Sequence, residues 1–190
     1  MDAVKEIEEV EQVKDTKIYT IEDIYALPDG VRAELIDGEI YYMATPSRTH
    51  QRILGLLFRR ISDYIEANDG TCEVYVAPFS VFLNDQDDTN YLEPDITVVC
   101  DTSKLDEKGC HGAPDWVIEI VSPTSKPRDY IKKLLQYCTA GVREYWIVDP
   151  EKQMVSVYGF EAYMVEQYSF GDAVPSGIFE GFSMTIEQQP

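Results

Sequence analysis

The chain has 190 residues, 44% of them hydrophobic, and a formal net charge of −19 from 16 basic and 35 acidic side chains. This is enough apolar material for one compact α/β domain, while no apolar run reaches the roughly 18–20 residues that cross a bilayer. The acidic N-terminus lacks the apolar stretch of a secretory signal, and the charge disfavours non-specific binding to a polyanion, which rests on Lys and Arg.

The charge is unevenly spread. The first 29 residues carry nine acidic and three basic side chains, whereas Trp116 to Trp146 holds five basic (Lys126, Arg128, Lys132, Lys133, Arg143) and three acidic. The four cysteines (Cys72, Cys100, Cys110, Cys138) contain no CxxC pair, which disfavours a structural zinc site. Cys72, Cys100 and Cys138, in apolar segments, read as buried thiols in a reducing cytoplasm, and Cys110-His111 as a loop pair rather than metal ligands.

In chain order, residues 1–17 form an acidic segment that reads as a solvated tail, or as a helix with Val4, Ile7, Val10 and Val13 on one face. Thr20 is placed to cap a short helix over 21–26, which Pro28-Asp29-Gly30 ends. Asp37-Gly38 between two strand-like runs predicts a hairpin. Pro46-Ser47 opens a helix over 49–67 whose Ile53, Leu54, Leu57, Ile61, Tyr64 and Ile65 make an apolar stripe. A strand over 72–83, bent at Pro78, follows, and then strands 95–100 and 116–121, joined by a surface loop. The helix over 128–139 places Ile131, Leu134, Leu135 and Cys138 toward a core, with Asp129, Lys133 and Tyr137 in a separate row. Strand 144–148 then arrives by a right-handed crossover, and a hairpin of 154–158 and 163–168 follows. The expectation is a single domain over 18–190 with a central mixed β-sheet flanked by helices.

Asp95 and Glu119 interrupt or head apolar runs, and charged residues are rarely buried unless paired or bound to metal. If their strands are neighbours, the two carboxylates converge on one ion, with the Ile120 carbonyl as a third ligand. Mg²⁺ or Mn²⁺ is the expected cofactor, since hard ions take oxygen ligands and can assist phosphodiester hydrolysis. Lys133 would polarise water or offset phosphate charge, oriented by Asp129 four residues before it. The competing structural reading pairs Glu119 with Lys133 or Arg143 in a salt bridge.

Pro-Asp followed some two dozen residues later by Glu-Ile-Val resembles the PD-(D/E)XK nuclease superfamily, although Val121 stands where its lysine usually lies. The longer pattern resembles the bacterial Uma family of proposed restriction endonucleases. It comprises Glu34-Leu-Ile-Asp-Gly-Glu, His50, Glu93-Pro-Asp-Ile, Glu119-Ile-Val-Ser-Pro, Asp129 through Lys133 to Tyr137, and Gly141 through Pro150. The resemblance covers about 18–187 and implies a restriction-endonuclease-like core with Glu34, Asp95, Glu119 and Lys133 as the active-site set. His50, Asp129 and Tyr137 are the expected contacts to substrate.

The expected function is thus a metal-dependent endonuclease acting on DNA, in the cytoplasm and as a homodimer. The alternative is a nuclease-fold module without catalysis that acts through protein partners, or an enzyme for small phosphodiesters, which suits the acidic charge.

Overall fold

The computed structural model describes residues 17–84, 86–123, 125 and 127–187, so the acidic segment 1–17 lies outside it except for Lys17. Helix α1 (Ile21–Tyr25) starts at Thr20, whose backbone N–H donates to Asp23 Oδ2 at 2.9 Å. Asp37 and Gly38 adopt φ of 51° and 74°, the left-handed pair of a two-residue hairpin turn. They join β1 (Ala33–Ile36) to β2 (Glu39–Tyr42). Ser47 Oγ caps α2 (Arg48–Ala67) by accepting from the His50 N–H at 3.1 Å.

The stretch expected as one bent strand is two, β3 (Glu73–Val76) and β4 (Val81–Phe82), in different sheets. Pro78 between them cannot donate to a ladder. After β5 (Ile96–Val99) the expected surface loop holds a 3₁₀ turn (Thr102–Lys104) and a hairpin, β6 (Leu105–Asp106) and β7 (Gly109–His111), which pairs with β4. Gly109 has φ of 147° and a Cβ there would sit 2.2 Å from the Ser80 carbonyl oxygen, so this close backbone approach requires glycine.

Strand β8 (Trp116–Ile120) leads through a π-helical turn (Arg128–Lys133) into α3 (Leu134–Ala140) and then β9 (Glu144–Asp149). Two hairpins follow: β10 (Met154–Gly159) with β11 (Met164–Ser169), and β12 (Val174–Pro175) with β13 (Ser183–Met184). The central six-stranded sheet runs β11-β10-β9-β8-β5-β3. It is mixed: β8 and β9 pair in parallel, as a crossover through a helix requires, and the other neighbours are antiparallel.

Alternation along the strands divides the core. Ile96, Val98, Trp116, Ile118, Ile120 and Trp146 pack under the α2 stripe of Ile53, Leu57 and Ile61. Val99, Val117, Val121 and Ile147 face the other way, with Tyr137 and Tyr145. The β1–β2 hairpin is tied across this second layer by Lys132 to Glu39 and Gln136 to Asp37, both at 2.6 Å. That placement carries Glu34 over the sheet.

Two expectations are corrected. Ile131 and Leu135 are 68% and 67% exposed and Cys138 is exposed, whereas Asp129, Lys133 and Tyr137 are buried. The wider π turn, followed by an α-helical one, keeps residues 129, 133 and 137 on one side, where Lys133 pairs with Asp129, Glu34 and Glu119 and Tyr137 donates to Glu119. Cys72 and Cys100 are not free thiols but a disulfide. They stand one step beyond the Glu73–Val99 pair, which sets them opposite each other across β3 and β5.

Candidate active site

Glu119 lies on β8 on the same face as Val117 and Val121, as strand alternation dictates. The β5–β8 register pairs Ile96 with Ile118 and Thr97 with Val117. One step further, Asp95 comes opposite Glu119. Like charges facing each other across a ladder are destabilising unless a cation intervenes.

Each carboxylate is held through one oxygen. Asp95 Oδ2 accepts the Ile120 N–H at 2.8 Å and lies 3.0 Å from His50 Nε2. Glu119 Oε1 accepts from Lys133 Nζ at 2.8 Å and from the Tyr137 hydroxyl at 3.0 Å. Among the described residues Asp95 Oδ1 and Glu119 Oε2 accept no hydrogen bond, which leaves them as the oxygens on offer to a ligand.

Lys133, 2% exposed, is the centre of the buried cluster. Its Nζ lies 2.8 Å from Glu34 Oε1, 2.8 Å from Glu119 Oε1 and 3.5 Å from Asp129 Oδ1. Glu34 is fixed by the Glu93 N–H, which donates to Oε1 at 3.2 Å. Glu93 is itself held by Arg32 at 2.9 Å and by the Tyr91 hydroxyl at 2.8 Å. Lys132, the rival lysine, is exposed enough to reach Glu39 instead. Arg143, the other candidate partner of Glu119, pairs with Asp115 and Glu161.

Glu34, Glu119 and Asp129 thus face two cations, Lys133 and Arg128, while Asp95, the fourth carboxylate, faces His50. Burial pushes the Glu119 carboxyl up to about 8; Lys133 opposes this, and Asp129, Glu34 and Asp95 add to it. Burial likewise raises Asp129 against the pull of Lys133. For Lys133 burial acts to lower, but Glu119, Glu34 and Asp129 outweigh it and hold the ammonium above its ordinary value. Tyr137 is pushed well up by burial and by Glu119, so it remains a donor.

The structure brings together six of the seven side chains expected from sequence around one cluster: Glu34, Asp95, Glu119, Asp129, Lys133 and Tyr137. His50, the seventh, touches it through Asp95. Among the described residues no group of three or more His, Cys, Asp or Glu side chains forms a metal cage. Lys133 lies between Glu34 and Glu119, 2.8 Å from an oxygen of each.

A family model described as "Putative restriction endonuclease" matches residues 21–187. The chain belongs to this family, Uma2. A crystal structure described as "a putative nuclease belonging to DUF820" from Anabaena variabilis superposes with a TM-score of 0.70 at 23% identity, covering 87% of this chain and 94% of that one. The Uma2 chain therefore has a nuclease-like fold. An uncharacterized protein of Synechocystis sp. is 26% identical over 127 residues, 66% of this chain and 64% of that relative's length.

Sequence reasoning missed Arg128. Its guanidinium lies 3.6 Å from Glu34 Oε2 and 3.8 Å from Asp129 Oδ1, over the Tyr41 ring. The available signal was its place directly before Asp129 in an acidic chain. Glu93 was also missed as a support for Glu34, although it opens the Glu-Pro-Asp block.

Proposed function

We propose that this chain is a divalent-metal-dependent nuclease that hydrolyses phosphodiester bonds in DNA. The observation that carries the reading is Asp95 set opposite Glu119 at the end of the β5–β8 pair, each with one oxygen held by the protein and one on offer. Two carboxylates, with the Ile120 carbonyl as a further donor, fit a hard ion that keeps several waters. Mg²⁺ or Mn²⁺ bound there would supply a nucleophilic water at neutral pH and offset charge on the phosphate.

The chain's own residues supply the rest. His50 and the Ile120 N–H fix the Asp95 side chain, and Tyr137 fixes Glu119. Of the three donors on Lys133, two are spent at 2.8 Å on Glu34 and Glu119. The third meets Asp129 only at 3.5 Å, beyond a good hydrogen bond, and is the one available to a water or a phosphate oxygen.

The net charge of −19 favours a second reading, a small phosphodiester or nucleotide as substrate. Purified protein is to be assayed with Mg²⁺ or Mn²⁺ on plasmid, single-stranded DNA and a small diester. Cleavage of DNA that is lost in Asp95→Ala and in Glu119→Ala is the expected result. Cleavage persisting unchanged in both variants sinks the metal-site reading, and turnover of the small diester alone moves the substrate to the second one.

A further inference from the structure

Arg128 carries five N–H donors, yet its side chain, only 17% exposed, makes no hydrogen bond among the described residues, its buried Nε included. Its ion pairs, through Nη2 to Glu34 and Nε to Asp129, are long, at 3.6 and 3.8 Å, and neither is a hydrogen bond. What positions it is the Tyr41 ring, whose centroid lies 5.3 Å from the guanidinium carbon. A cation held over an aromatic face is fixed without consuming N–H groups. Two carboxylate oxygens beside it, Glu34 Oε2 and Asp129 Oδ1, are likewise buried without a hydrogen bond. A guanidinium that is charged, aimed and unsaturated beside a hydrolytic cluster matches one chemical class best, an anionic oxygen pair such as that of a phosphodiester, which it binds in fork geometry.

We propose that Arg128 is the ligand of a substrate backbone phosphate next to the bond being cut, held over Tyr41 for that task. The inference rests on the nuclease reading above. Lys132 lies over the same ring at 5.0 Å and pairs with the exposed Glu39. Exposed pairs of this kind contribute little, so an arriving backbone can displace Glu39 and take a second cation.

The test titrates a fluorescein-labelled single-stranded phosphorothioate oligonucleotide, checked on a gel for integrity, into Mn²⁺-loaded protein across a salt series. Mn²⁺ affinity is measured on the same variants by calorimetry. Arg128→Gln is expected to weaken oligonucleotide binding on the order of ten- to hundredfold. Arg128→Lys, which keeps the charge but loses the fork, is expected to weaken it by less than that. Mn²⁺ affinity stays at the wild-type value in both. The slope of log K against log salt becomes less negative by about 0.7 in Arg128→Gln, the share of one single-strand phosphate contact.

Unchanged oligonucleotide affinity in either variant overturns the role of Arg128 and leaves the nuclease reading standing. So does a loss of Mn²⁺ affinity in parallel with oligonucleotide affinity, because Arg128 would then only prop the carboxylates. A wild-type protein that binds Mn²⁺ but no oligonucleotide overturns both.

Discussion

Lys133 and Glu119 are the residues on which the site's electrostatics turn. Removing Lys133 as Met would leave Glu119 buried without its cation, and Glu34 and Asp129 with only their long pairs to Arg128. That is expected to cost about 3–5 kcal/mol of unfolding free energy. Adding Glu34→Gln and Glu119→Gln to Lys133→Met should recover much of it, and urea melts of the two proteins measure the difference. Glu119 also makes a pH prediction. Burial raises its carboxyl from 4.5 to about 8, so the folded state binds a proton that the unfolded state has released. The stability this confers is fully present below about 4.5 and is lost as pH rises toward 8, with a slope of up to about 1.4 kcal/mol per pH unit. Chemical denaturation of metal-free protein between pH 5 and 8 should show the decline, and Glu119→Gln should flatten it. A flat profile in the wild type refutes the assignment.

At the scale of elements, the two helices make opposite demands on their apolar residues. Leu57 on α2 is fully buried against the sheet, and Leu57→Ala is expected to cost about 2–5 kcal/mol. Leu135 on α3 faces solvent, and Leu135→Lys should stay within about 0.5 kcal/mol of wild type by the same melts. The α2 stripe, the Asp37-Gly38 hairpin and the strands bearing Asp95 and Glu119 were legible because their signals are local: period 3.6, a left-handed pair, short apolar runs. The orientation of α3 was not. Counting apolar residues assigns Ile131, Leu135 and Cys138 to the core, since burying Asp129 and Lys133 makes sense only once β1 delivers Glu34 against them. Arg128 stayed hidden for the same reason: its worth depends on Tyr41, brought in by a hairpin some 90 residues earlier. The Cys72–Cys100 bond required the β3–β5 register, which spacing alone does not provide. All seven expected site side chains, by contrast, stood in the sequence as motif blocks.

For the whole molecule, the Cys72–Cys100 bond closes a segment of sequence separation 28 at the edge of the central sheet. By loop-closure entropy it contributes about 3–4 kcal/mol, so reduction or a Cys72→Ser, Cys100→Ser pair should lower the melting temperature by on the order of 10 °C. Calorimetric melts with and without reductant measure it. The surplus of carboxylates matters at this scale as well. When all are ionised, four carboxylates against two cations leave the pocket negative inside a chain of net charge −19, and a polyanion is repelled from it. On the metal-dependent nuclease reading proposed above, Asp95 opposite an ionised Glu119 would impose an order of events: the divalent ion would enter first, and its charge would open the pocket to a nucleic-acid strand. Binding should be compulsory in that sequence, with oligonucleotide affinity near zero in chelator and restored by Mn²⁺. Equal affinity in both conditions would show that the ion is no gatekeeper.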